Sequence, residues 1–167
     1  PPAHDQLINH AGRIRTRSRG RFSCHIVLRF PYGGGVRALE HHSDSPESYF
    51  IHMPGIKVVI PSNPYDAKGL LISSIRDPDP VIFMEAKRIY RSIKQEVPEE
   101  SYTIPLGKAN VIREGKDLTI FSYGSMLHVA LEAAEKVSDK YSCEIVDLRT
   151  LSPLDIDAIV SSVRKTG

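Results

Sequence analysis

The stretch from Gly55 to Glu85 constrains the fold most. In "GIKVVIPSNP", Ile56, Val58, Val59 and Ile60 read as a short buried strand closed by Pro61. Ser62 or Asn63 is placed to cap a helix that begins near Pro64. Ala67, Leu70, Leu71 and Ile75 fall on one face of that helix. "RDPDP" ends it, because two prolines cannot continue a helix, and "VIFME" (81–85) reads as the next strand. A strand, a helix and a strand of this length make a right-handed parallel crossover. The chain is therefore expected to be α/β, with a parallel sheet covered on both faces.

The flanking segments extend the pattern. Residues 5–17 read as a helix with Leu7, Ile8, Ala11 and Ile14 on one face. "HIVLRF" (25–30) reads as a buried strand that "PYGGG" breaks. Ser45 and Pro46 fit the cap and first position of a short helix through Tyr49 and Phe50. Residues 91–116 are polar, with two prolines, and read as a linker carrying a short strand or two. The α/β pattern then restarts. "DLTIFSYG" is a strand, and "SMLHVALEAAEKV" is a helix with Leu127, Ala130, Leu131, Ala134 and Val137 inward. "CEIVDLR" is a strand, and "SPLDIDAIVSSVRK" is a helix with Ser152 as cap and Pro153 at its first position.

Composition excludes some classes. Of 167 residues, 41% are hydrophobic and 25% charged, which is a globular rather than a disordered balance. A net charge of +2 makes no case for nucleic acid, although Arg13, Arg15, Arg17, Arg19 and Arg21 alternate through one early run. Such a run reads either as a phosphate-binding patch or as a helix end and loop at a subunit surface. Cys24 and Cys143 form no CxxC pair, so a reducing, cytoplasmic compartment is expected. No apolar run reaches the roughly 20 residues that span a bilayer, so no membrane is expected.

"HHSDSPE" is the unusual segment. His41 and His42 precede a helix start, whose positive dipole end favours neutral imidazole. Beside the flexible glycines 33–35, a neutral imidazole can donate to a ligand oxygen or move a proton. On spacing alone, loop histidines are more often surface or capping residues. His25, His41, His42, His52 and Cys24 share no metal-ligand spacing. Asp77 and Asp79 in "RDPDP" offer oxygens to a hard cation, or form a solvated turn. "YGSM" after "DLTIFS" resembles a phosphate-binding strand–glycine–helix turn, though a lone glycine more often marks a tight turn.

The long stretch "PYGGGVRALEHHSDSPESYFIHMPGIKVVIPSNPYDAKGLLISSIRDPDPVIFMEAKRIYR", with "DQLINHAGRIRTRSRG" before it and "DLRTLSPLD" after it, resembles one family. That family is the beta subunit of the thiamine-diphosphate-dependent, decarboxylating first component of 2-oxo acid dehydrogenase complexes, of pyruvate or branched-chain type. The resemblance implies a transketolase-like fold. Residues 1–97 would be the later part of a pyrimidine-binding domain, 98–115 a linker, and 116–167 the beginning of a transketolase C-terminal domain. It implies an α2β2 heterotetramer with an alpha subunit, and a lipoyl-bearing acyltransferase as further partner. It implies thiamine diphosphate, with magnesium held mainly by alpha.

By the same resemblance, His42 is catalytic: it would bind the substrate and stabilise charge in decarboxylation and acyl transfer. The cofactor-activating glutamate of the family lies upstream of residue 1, so this stretch is expected to be a piece of a longer subunit. In branched-chain members a potassium ion is held at positions matching Cys24, Ile26, Val27, Ser74, Asp77 and Asp79, with Asp79 in place of an Asn and Cys24 in place of a Gly. Two other readings are a transketolase-like enzyme of different chemistry and a non-catalytic fragment or assembly scaffold.

Overall fold

The computed structural model describes residues 3–35, 37 and 39–167. Strands β1 (Val27–Tyr32), β2 (Lys57–Val59) and β3 (Val81–Ala86) run parallel, with β3 in the centre. Helix α4 (Pro64–Arg76) is the crossover between β2 and β3, as its pattern predicts. The Asn63 side chain caps it, accepting a hydrogen bond from the Asp66 amide at 2.8 Å. Its inner face differs from the expectation in one place. Leu70 is fully buried, but Ile75 is exposed and Ser74 takes the inward position. The Ser74 hydroxyl can sit inside because it donates to the Leu70 carbonyl at 2.7 Å.

A second sheet has the order β4-β6-β5, from β4 (Asn110–Arg113), β5 (Leu118–Ser122) and β6 (Cys143–Asp147). β5 and β6 are parallel, and β4 joins β6 antiparallel from within the stretch read as linker. Helix α5 (Ser125–Lys136) packs Leu127 and Ala134 onto β6, with Ala130, Leu131 and Val137 beside them. The two sheets are joined through β7 (Thr150–Ser152), which leaves the second unit to pair antiparallel with β2.

β7 corrects one expectation. Ser152 is a strand residue donating to the Ile56 carbonyl, not a helix cap. A cis Ser152–Pro153 bond follows, and α6 (Ile156–Thr166) starts later, capped by Asp155. Pairing with β2, where the Ile60 amide also donates to the Arg149 carbonyl, gives this segment its backbone partners, so tertiary context wins.

Three further expectations shift. β1 is an edge strand, half exposed at Leu28 and Arg29, and it runs on through Pro31 because an edge tolerates a missing donor. The first helix is not continuous: α1 (Ala3–Asp5) passes through a π-turn (Gln6–His10) and a 3₁₀ turn (Ala11–Arg13) into α2 (Ile14–Arg17). The tightening falls at Gly12, whose backbone lies so close to Gly55 that a Cβ on Gly55 would overlap the Gly12 carbonyl. The short α3 (Glu47–Ile51) has Pro46 rather than Ser45 at its cap position, with no side-chain cap.

The core lies on both faces of the first sheet. Phe50, Ile56, Val58, Ile60, Ile82 and Met84 pack with Leu7 and Tyr32 on one side. Val59, Leu70, Val81 and Phe83 pack on the other, with Ile104 folded back from the linker. Each such side chain contributes about 1.5–3 kcal/mol by leaving water.

Candidate active site

Parallel strands bind ligands beyond their carboxyl ends. Here β1 ends at Tyr32 and runs into Gly33–Gly35, β3 ends at Ala86 before Lys87 and Arg88, and β5 ends at Ser122 before Tyr123. These three ends, with Ser45, Glu47, Phe121, Ser125 and Met126, enclose a cavity of about 470 Å³. A smaller cavity of 190 Å³ lies at the start of α4, between Arg29, Glu85 and Tyr90. Its polar groups satisfy one another, since Glu85 accepts from both Arg29 and the Tyr90 hydroxyl.

The larger cavity concentrates proton-bearing groups. Glu47 opens α3 and is buried. Burial pushes its carboxyl above the usual range, opposed only by a hydrogen bond from its own backbone. Burial, and then the Glu47 charge, raise the Tyr32 and Tyr123 phenols. A buried carboxyl held this way can keep a proton nearer neutrality and exchange it with a ligand. Lys87 and Arg88 supply positive charge at the same wall. Sequence reasoning missed Glu47. The only signal was its place at the first turn of a helix following the histidines.

Gly124 joins the two units at this cavity. Its φ is +56°, and an added Cβ would come within 2.5 Å of the Tyr32 hydroxyl oxygen. "YGSM" is thus a tight turn fixed by packing. Beneath it runs a buried polar seam. The His128 ring meets the Ser62 carbonyl at 2.7 Å. The Arg149 guanidinium lies 3.5 Å from Asp66 and donates to the Lys108 and Ala109 carbonyls. Asp147, at the end of β6, is fully buried. Burial raises its pKa to about 6, with Asp66 adding to the rise; the Ser62 hydroxyl, the Arg149 amide and the Arg149 charge temper it. Among the described residues, neither Ser62 Oγ nor Asp147 Oδ2 completes a hydrogen bond of ordinary geometry.

The histidines sit on a 3₁₀ turn, Glu40–His42, with ring centroids 4.8 Å apart. Both are exposed, and neither belongs to the cavity wall. The turn is nevertheless tied to the cavity, because the Gly33 amide donates to the Asp44 carbonyl at 2.8 Å, and Ser45 is in the wall. Arg37 and Glu40 both hold φ of +55°, a conformation costly for side-chain-bearing residues and common at functional loops.

The residues matched to a potassium site do come together. Cys24 is tethered by its amide to the Pro78 carbonyl at 3.1 Å. The oxygens, however, are engaged. Asp77 takes the Lys57 ammonium at 2.6 Å on both carboxylate oxygens, and Asp79 takes Arg15 at 2.5 Å. The Cys24, Ile26 and Ser74 carbonyls accept from the Ile26, Val81 and Asp77 amides. Val27 lies on β1. Among the described residues, no group of three or more His, Cys, Asp or Glu could hold a metal ion.

Comparison with known proteins adds the following. The family model of the transketolase pyrimidine binding domain matches residues 5–92, and that of the transketolase C-terminal domain matches residues 107–167. The pyruvate dehydrogenase E1 component subunit beta of Bacillus subtilis (strain 168) is 58% identical, covering 98% of this chain and 50% of its own. The 2-oxoisovalerate dehydrogenase subunit beta of the same organism is 53% identical, covering 99% of this chain and 51% of its own. Among solved structures, a split-gene transketolase described as an inactive beta4 tetramer superimposes with a TM-score of 0.72 at 25% identity, covering 96% of this chain and 52% of that one. The chain spans about half the length of the curated relatives it matches.

Proposed function

Because the chain belongs to the transketolase pyrimidine-binding family, with a transketolase C-terminal domain behind it, we propose that it is part of the beta subunit of a 2-oxo acid dehydrogenase decarboxylating component. The observation that carries this reading is identity above 50% across nearly the whole chain to beta subunits named for pyruvate and for 2-oxoisovalerate dehydrogenases. The reaction is oxidative decarboxylation of a pyruvate-type or branched-chain 2-oxo acid, with acyl transfer to a lipoyl group on the complex's acyltransferase. An alpha subunit completes the cleft in an α2β2 assembly and holds the magnesium. The compartment is the cytoplasm. Residues 1–97 serve as the later part of the pyrimidine-binding domain and 116–167 as the opening of the C-terminal one.

The cavity fits one part of thiamine diphosphate. Its volume suits a cofactor-sized group, the aromatic wall of Tyr32, Phe121 and Tyr123 suits a planar ring, and the glycine loop leaves room for close approach. When bound, that cofactor supplies the electron sink for decarboxylation. The chain's own residues do the rest. Lys87 and Arg88 attract the substrate carboxylate. Glu47, its carboxyl raised by burial, exchanges a proton at the cavity wall. His42, on the loop pinned by Gly33, donates to the substrate oxygen once the partner closes over it. Potassium would take the Asp77 and Asp79 carboxylates only by displacing Lys57 from the first and Arg15 from the second.

The test is calorimetry of thiamine diphosphate with magnesium against the full-length protein co-purified with its alpha subunit. Saturable binding to the pair supports the proposal. Binding by beta alone, or none by the pair, overturns it.

A further inference from the structure

The arginine run lies away from the cavity. α2 and the turn after it sit at the amino ends of the strands: Arg15 pairs with Asp79, and the Cys24 amide is tied to Pro78, just ahead of β3. Arg13, Arg17, Arg19 and Arg21 are exposed and make no ion pair with any described residue.

The turn that displays them is held by its own hydrogen bonds. The Arg19 amide donates to the Thr16 carbonyl at 3.1 Å and the Gly20 amide to the Arg15 carbonyl at 2.8 Å, the paired bonds of a Schellman helix end. The Ser18 hydroxyl donates to the Arg15 carbonyl and accepts from the Phe22 amide at 3.0 Å. In such a motif the first residue past the cap adopts left-handed backbone, and glycine is the usual occupant. Here that residue is Arg19, at φ +54°. A side chain at this position is a conformational cost, and among the described residues no hydrogen bond or ion pair of the Arg19 side chain offsets it. Next to it, Phe22 is 67% exposed, and Ile26 on the approach to β1 is 41% exposed.

We propose that this hydrogen-bonded arginine turn, with Phe22 beside it, is a docking surface for an acidic segment of a partner polypeptide. Charge complementarity names the occupant. The acidic residues at this edge, Asp77 and Asp79, are already neutralised by Lys57 and Arg15, so the outward charge is positive. Planar guanidinium groups engage carboxylates in paired hydrogen bonds. Exposed aromatic and arginine side chains together are the mixture of protein interfaces. A nucleic-acid face would need basic residues along a longer track, whereas the whole chain carries only +2 and this run is confined to residues 13–21.

The full-length protein is titrated with fluorescein-labelled poly-L-glutamate at low salt, followed by anisotropy. A single-stranded oligonucleotide and phosphatidylserine vesicles serve as competing probes. The variant carries Arg17→Ala, Arg19→Gly and Arg21→Ala; Arg164→Ala on α6 is the control. The expected result is poly-glutamate binding that weakens about tenfold in the triple variant and not in the control. Arg19→Gly alone should raise the unfolding temperature while lowering affinity, a combination that a purely structural arginine would not give. Equal binding by wild type and triple variant overturns the proposal. So does a wild-type preference for the oligonucleotide or the vesicles.

Discussion

Replacing Asp147 by Asn should stabilise the protein, and the size follows from the seam between the two sheets. Asp147 is fully buried, and its pKa rises from 3.8 to about 6, first because burial penalises its charge. The folded state therefore binds a proton more readily than the unfolded chain. Stability from this group is complete below pH 3.8, falls as pH rises to about 6, and stays reduced above that. The shift is about two units, and each unit is worth about 1.36 kcal/mol, so the charged carboxylate costs at most about 3 kcal/mol near pH 7.5. Asn mimics the protonated acid, while Arg149 keeps Asp66 as its partner. Urea unfolding of both proteins between pH 4 and 8 provides the assay. The variant should be more stable by up to about 3 kcal/mol at pH 7.5, with the gap closing toward pH 4. A variant less stable at pH 7.5, or a gap independent of pH, would refute the argument.

Removing the helix cap by Asn63→Ala should lower stability by about 1 kcal/mol, and Leu70→Ala by about 2–5 kcal/mol; denaturant midpoints measure both. Gly124→Ala forces a side chain into left-handed backbone and against Tyr32, so it should cost about 1–3 kcal/mol and weaken cofactor binding by the assembled pair. With Lys57 against Asp77, thermal stability should be the same in potassium and sodium chloride, and Lys57→Ala should make it potassium-dependent. Selective stabilisation of the wild type by potassium would show that the ion displaces Lys57.

The fold was legible wherever neighbouring residues decide it. β2, α4 and β3 follow from an apolar run, an Asn cap and a proline stop within one stretch. α5 and β6 follow from spacing in the same way. β7 was not legible, because three residues of "TLS" become a strand only by pairing with the distant β2. The exposed face of β1 was missed for the same reason: its place at the edge is a property of the sheet, not of "HIVLRF". At the candidate site, the glycine loop and the histidine turn were visible as motifs. Glu47 and Asp147 were not, since their raised pKa values come first from burial, which only the folded chain creates.

The central claim is tested most directly by turnover of the full-length protein reconstituted with its alpha subunit. Pyruvate and branched-chain 2-oxo acids are supplied in turn, with lipoyl domain as acceptor. The account predicts acyl-lipoyl formation from at least one of these acids, needing both subunits, and a fall of about 10²-fold or more in His42→Ala at unchanged unfolding temperature. Ketol transfer between sugars by this chain without alpha, or His42→Ala activity within about twofold of wild type, would contradict it.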